Sequence, residues 1–326
     1  MTFAKKSAQP KVIPSKLIQV TNNPYRQYTP KVSNGIVVWT DERDVPNGGN
    51  TKIWMRDLND PSSSGNSVTH HLFGDQYVES FNNQILVYNS NSPGQEGLFY
   101  LNLDYSYETF LISENGYNAI VKGDYIIYQR SLSYSSAEVN LYRISTATSK
   151  RLKLFNPQFE TVLYGLSEDY VVIVKNATLS MIDTNTQIET VLPYEATGIS
   201  SVAISNDYIL WSEIKNNHWD IFSYAIGTQR LSQITNSTAI DVVPSIYDNQ
   251  ILWEQYQSKP PKNALRAYNL RSCHLEKIAE ELSLSGNDID DTFMVWQDER
   301  YGLDNSDIFA INYKKRSPVY QNCQDE

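Results

Sequence analysis

Cysteine is nearly absent from this chain: Cys273 and Cys323 are the only two among 326 residues. Two thiols make no disulfide framework, and neither stands in a Cys-x-x-Cys or Cys/His spacing suited to zinc. Histidine is scarce too, with four copies. His70 and His71 read as part of a polar fourth strand, and with His218 and His274 they form no triad or metal spacing, so each reads as a surface or hydrogen-bonded structural residue. There is no G-x-S-x-G elbow and no Gly-rich phosphate loop. No run of about 18 apolar residues occurs, so no helix of this sequence would span a bilayer. Positive charge is in deficit, with 27 basic against 37 acidic residues and a net charge of −10. That excludes a sequence-independent nucleic-acid binder, which needs a basic face, and docking on an anionic membrane. The opening MTFAKKSAQPKVIPSK lacks the apolar core of a secretory signal. The protein is then either retained inside or exported with its leader missing from this chain, and export to the periplasm or exterior is the favoured expectation.

What the chain has is aromatic residues and repetition. Its 23 Tyr and 6 Trp favour pleated, half-buried surfaces. Seven short apolar runs recur: NGIVVW ending at Trp39, NQILVY at Tyr88, GDYIIY at Tyr128, EDYVVI at Ile173, NDYILW at Trp211, DNQILW at Trp253 and DTFMVW at Trp296. Their spacing scatters between 38 and 49 residues, which suits propeller blades with variable loops rather than a solenoid of rigid period. Each run is continuously apolar, the mark of a strand buried on both faces. A polar turn precedes it, such as Asn34-Gly35, Gly123-Asp124, Glu168-Asp169, Asn206-Asp207 or Asp248-Asn249. These residues tolerate the positive φ of tight hairpins. A third strand follows each run, for example KIWMRDL (52–58) and DIFAINY (307–313), and a fourth such as RLSQIT (230–235) comes after it.

The last unit has no fourth strand after Tyr313, whereas LIQVTNNPYRQYTPKVSNGIVVW (17–39) lines up with LSQITNSTAIDVVPSIYDNQILW (231–253). Residues 17–21 are therefore expected to complete the last blade and close the ring, which removes the edge an open array would expose. The predicted fold is an all-β single β-propeller of seven four-stranded blades, rather than six or eight, closed by an N-terminal strand in the last blade. The predicted organisation is an N-terminal extension (1–16), the propeller (17–313) and a C-terminal tail (314–326).

Two segments carry a more specific pattern: SNGIVVWTDERDVPNGGNTKIWMRDL (33–58) and DTFMVWQDERYGLDNSDIFAINY (291–313). They resemble the repeats of TolB-like β-propellers and related bacterial surface propellers: turn, apolar strand, W-x-D-x-R, a Gly/Asn-rich loop, then D-I followed by an aromatic. Residues 206–226 keep that frame without the Arg. Seven copies separate the chain from the six-bladed ring of TolB itself. The resemblance implies recognition of a protein or another ligand.

Function is expected to reside in the connections between second and third strands, read as long loops at Asp41–Thr51, Arg130–Val139, Glu254–Asn263 and Gln297–Ser306. Loops on a rigid scaffold are where recognition residues accumulate. The candidate ligand-binding residues are Asp41, Glu42, Arg43, Tyr256, Asp298, Glu299, Arg300 and Tyr301. The competing reading makes the two Asp-Glu-Arg triplets structural, with Asp accepting loop N–H bonds and Arg pairing with a neighbouring blade. The Trp residues at strand ends read as packing between blades rather than as a sugar platform. Cys273 and Cys323 form a candidate disulfide. The expected function is a non-catalytic binding or scaffold propeller that takes a protein or glycan on its long-loop face, acting as a monomer, with no cofactor, metal, nucleic acid or membrane insertion. One alternative is a carbohydrate-active hydrolase or lyase using carboxylates at the channel mouth. Another is a structural surface-layer component.

Overall fold

The computed structural model describes residues 17–314 except 105–108, 259–260, 282–283, 301 and 303. After β1 (Leu17–Gln19), blade one contains β2 (Gln27–Ser33), β3 (Ile36–Asp41), β4 (Lys52–Asp57) and β5 (Asn66–Ser67). Blade two contains β6 (Gln76–Asn82), β7 (Ile85–Ser92), β8 (Gln95–Asn102) and β9 (Thr109–Ser113). Blade three contains β10 (Gly116–Lys122), β11 (Tyr125–Ser133), β12 (Ser136–Arg143) and β13 (Thr148–Phe155). Blade four contains β14 (Val162–Leu166), β15 (Tyr170–Lys175), β16 (Thr178–Asp183) and β17 (Glu189–Glu195). Blade five contains β18 (Ile199–Ile204), β19 (Tyr208–Lys215), β20 (His218–Ala225) and β21 (Arg230–Gln233). Blade six contains β22 (Ile240–Tyr247), β23 (Gln250–Ser258), β24 (Pro261–Asn269) and β25 (His274–Glu281). Blade seven runs β26 (Leu284–Ile289), β27 (Phe293–Asp298), β28 (Asp307–Asn312) and then β1. This is the seven-bladed propeller that the repeats predict.

The continuous apolar runs follow from where each second strand sits. Val37 and Trp39 pack with Phe293, Val295, Ile308 and Ala310 of blade seven, while Val38 between them packs with Leu86 and Tyr88 of blade two. Alternate side chains thus serve two different interfaces, so no position is left for a polar residue. Seven such apolar clusters occur, one between each pair of neighbouring blades.

Ring closure repeats an internal solution. β1 pairs antiparallel with β28, Ile18 opposite Ala310. Gln19 and Thr21 donate to the Asp307 carboxylate at 3.0 and 2.8 Å, and Thr21 accepts the Ile308 amide at 2.8 Å. In blade five, Gln233 and Thr235 treat Asp220 and Ile221 the same way, at 3.1, 3.1 and 2.9 Å. Arg56 of blade one adds bonds to the Gln19 and Val20 carbonyls at 3.2 and 3.0 Å.

First strands line the channel, since each contacts the first strands of its neighbours. In six of seven blades this strand shifts register midway; β14 alone runs straight. Thr29, Asn118, Val243 and Gly286 take positive φ at these bulges, at 50°, 53°, 53° and 59°. A bulge unpairs ladder groups, and the preceding blade supplies partners. Thr40 accepts the Val78 amide at 3.0 Å, Glu79 the Ala119 amide at 3.1 Å and Asp288 the Val32 amide at 2.8 Å.

Two local expectations are corrected. Arg130–Val139 and Glu254–Asn263 are not loops: β11 and β12 continue pairing to a two-residue turn, and β23 and β24 pair as far as Ser258 opposite Pro261. Arg130, Ser131 and Ser133 at the outer end of β11 are exposed and polar, which read as loop. His70 and His71 lie in a turn beyond β5 rather than in a fourth strand, because β5 pairs with β4 through two residues only.

Candidate functional site

One face of the disc carries the second-to-third-strand connections and those leading into the next blade. There blades seven and one stand side by side, with the Gln27 amide bonded to the Ser306 carbonyl at 2.9 Å. In blade one, Asp41 is 1 % exposed. Its carboxylate accepts the Trp39 indole N–H at 2.9 Å, the Arg43 amide at 2.9 Å, and Arg43 Nε and an Arg43 terminal nitrogen at 2.9 and 2.6 Å. The Arg43 guanidinium lies 3.4 Å over the Trp54 ring. Blade seven duplicates this. Asp298 takes the Trp296 indole at 3.3 Å, the Arg300 amide at 2.9 Å and the Arg300 fork at 3.0 and 2.5 Å, with Arg300 4.2 Å over Phe309.

A charge-assisted bidentate pair of this kind, stacked on an aromatic ring, is a rigid clamp. It joins strand end, loop and third strand within one blade, where sequence reasoning had the Arg reaching to a neighbour. Four of the eight candidate residues, Asp41, Arg43, Asp298 and Arg300, are thereby engaged with one another. Glu42 bonds the Tyr28 hydroxyl, which burial and this carboxylate together push well above the usual phenol range. Its other contact is Arg26 at 3.9 Å. Glu299 accepts from Gln297 at 3.4 Å. Tyr256 lies within β23 and donates to Glu254, whose carboxyl is raised by burial despite that bond and one from Asn287 at 3.2 Å. Tyr301 and Cys323 lie outside the described residues; Cys273 sits in the turn between β24 and β25 at φ 52°.

The opposite face, formed by the first hairpin of each blade, holds a cleft of about 690 Å³ that sequence reasoning did not identify. Its walls come from the hairpins of blades three to seven: Lys122, Glu168, Asp207, Tyr247, Asp291 and Tyr313 among them. Lys314 is paired with Asp291 at 2.6 Å, which holds that carboxyl below its ordinary range. Tyr313 donates to the Asp290 carbonyl at 2.6 Å. The side-chain carboxylates of Glu168, Asp207 and Asp248 have no hydrogen bond or ion pair among the described residues. Tyr247 is 37 % exposed. Burial and the carboxylates of Asp291, Asp290 and Asp248 push its hydroxyl up. The Lys122 ammonium stands 5.7 Å from the Tyr247 ring centre. Blades three and six are as far apart as two blades of seven can be, so this contact crosses the channel mouth. The available signal was the hairpin sequences themselves. Glu168, Asp207 and Asp248 were read only as turn formers, and nothing local shows that a ring gathers them.

Among the described residues no group of three or more His, Cys, Asp or Glu is placed to hold a metal ion. The chemistry offered by the cleft is that of acidic side chains around aromatic surface.

No family model matches the chain, and no curated protein does. Solved structures do match in fold. The β-propeller domain of the trilobed protease from Pyrococcus furiosus aligns with a TM-score of 0.66 at 10% identity, covering 92% of this chain and 96% of that one. That propeller is described as having an open velcro topology, unlike the strand-closed ring here. An oligogalacturonate lyase from Vibrio parahaemolyticus aligns with a TM-score of 0.65 at 10% identity, covering 95% and 96%. A putative TolB from Agrobacterium tumefaciens aligns with a TM-score of 0.50 at 11% identity, covering 93% and 97%. Likeness at such identity is likeness of fold. It overturns the reading of this chain as a non-enzyme: a lyase shares the architecture almost end to end, so a propeller without a recognisable triad is not thereby set apart from catalysts. The chain is similar in fold to a TolB and to propellers of enzymes.

Proposed function

We propose that this chain is a recognition propeller that takes a protein or glycan ligand in the cleft at the hairpin mouth of its channel. The observation that supports this reading is the contrast between the two faces. On the long-loop face the Asp and Arg of both Asp-Glu-Arg triplets bond each other. On the hairpin face, carboxylates that have no partner among the described residues surround an exposed tyrosine in a concave site of ligand-binding size. Ligand capture is common to scaffolds and catalysts, so the reading stands apart from the question of turnover.

The test is a screen of the full chain against glycan and peptide arrays, followed by two variants of any hit. The Asp207→Asn/Tyr247→Ala variant should weaken binding at least tenfold, and Glu42→Gln/Glu299→Gln should leave it unchanged, both at unaltered melting temperature. The reverse pattern would move the site to the long-loop face and end the proposal.

A further inference from the structure

The cleft already contains an example of the chemistry it can recognise. Lys122 ends β10 and Tyr247 ends β22, and the ammonium of the first faces the ring of the second across the mouth at 5.7 Å. A tyrosine face attracts a cation through its ring quadrupole, and the effect grows where neighbouring carboxylates add their field. Asp248 adjoins Tyr247 in the chain, and Asp291 and Asp207 line the same cleft. Glu168 stands at the Lys122 end: a methyl group built on Gly123 would come within 3.9 Å of Glu168 Cγ. Lys122 has no hydrogen bond or carboxylate ion pair among the described residues, so among them the Tyr247 ring is what holds its ammonium. An exposed contact of this type is weak and easily exchanged. Open space of about 690 Å³ beside it leaves room for a competitor.

Resting on the proposed site, we infer that the cleft binds an alkylammonium group, which displaces Lys122 from the Tyr247 ring and sits among Glu168, Asp207 and Asp248. Lys122 is then an internal competitor, occupying the aromatic face until a ligand ammonium replaces it. This makes an unusual demand: removing a residue from the site must improve binding.

Two probes are titrated into the full chain by calorimetry at low and high salt: spermidine, and a lysine-bearing pentapeptide (Gly-Lys-Gly-Lys-Gly). The wild type should bind saturably and lose affinity with salt, because the carboxylates are exposed. Lys122→Ala should tighten binding about two- to fivefold, the equivalent of one exposed cation–π contact. Tyr247→Leu should weaken binding more in Lys122→Ala than in the wild type, where the ligand must first displace Lys122 from the ring, and Tyr247→Phe, which keeps the ring, should bind like wild type. The Phe variant guards against misreading a folding defect in the Leu variant. Preference for one probe identifies the ligand as a free amine or a lysine side chain, and either preference supports the inference. Unchanged or weaker binding in Lys122→Ala overturns it, as does the absence of saturable binding to both probes. Should a neutral glycan bind and depend on Tyr247 while neither amine does, the ammonium inference fails and the cleft survives as the recognition site. If no ligand of any class depends on Tyr247, both fail.

Discussion

Blades one and seven turn from second to third strand through a loop, whereas the other five do so through a hairpin. Four of the seven second strands carry a buried Trp, and its indole N–H is a donor that burial obliges to find an acceptor. The looped blades answer with an aspartate two residues on, neutralised by the arginine after it. Blade five uses Glu213 at the same offset, at 2.9 Å, and satisfies that carboxylate with the Tyr194 hydroxyl and Thr197 instead of a cation. Blade six reaches back to Asp241 on the inner strand at 2.8 Å, with Gln255 and Ser237 as further donors. The demand is constant and the supply is not. Only where arginine enters does the chain leave the sheet, since its fork must fold back over the third strand's aromatic ring.

The largest expected effect breaks the partnership of blades seven and one. Deleting residues 1–22 removes β1, the Asp307 clamp and the anchor of Arg56, and should abolish cooperative unfolding. A deletion variant that melts like the full chain would show that the ring is held by its apolar interfaces alone. Next, Asp41→Ala strands a largely buried guanidinium and an indole, and should cost about 3 kcal/mol in urea unfolding. Glu213→Ala strands only neutral donors and should cost about 1–2 kcal/mol. Equal losses would erase the distinction between looped and hairpin blades. In the Asp41→Ala/Arg43→Ala double variant the loss should fall below the sum of the single losses.

The smallest effect is a pH dependence. Glu254 has no cation partner among the described residues, and burial raises its folded pKa above the ordinary value of 4.5. Between the unfolded and folded values the native state holds the extra proton, so this group makes stability fall as pH rises from about 4.5 upward. Glu254→Gln should flatten that slope while its stability below the window matches wild type. An unchanged slope would show that the carboxylate is solvated well enough to ionise freely.

Legibility followed the range of the interactions. The seven second strands were readable because burial on both faces writes itself into consecutive residues, as in Val37, Val38 and Trp39. The W-x-D-x-R clamp was visible as a motif because donor and acceptor lie two residues apart. Asp241 was not, because it meets Trp253 from twelve residues away through the register of β22 and β23. The extended hairpins of blades three and six were misread because the sequences around Tyr134-Ser135 and Lys259-Pro260 are polar and lack Asn-Gly chemistry. The cleft could not be seen at all: Lys122 and Tyr247 lie far apart in the chain, and only closure into a ring brings their hairpins together.

That closure sets synthesis against assembly. Gln19 and its partner Asp307 are 288 positions apart, so at about 5–20 residues per second a ribosome takes about 15–60 s to make the second after the first. Throughout that interval β1 is a finished strand without a sheet, and Arg56 waits beside carbonyls that nothing yet holds in place. Blades one to six can stack in the order they emerge, each on a completed predecessor. The first piece made is the last to be fastened, so a chain arrested anywhere before β28 is left as an open arc with both end blades unpaired.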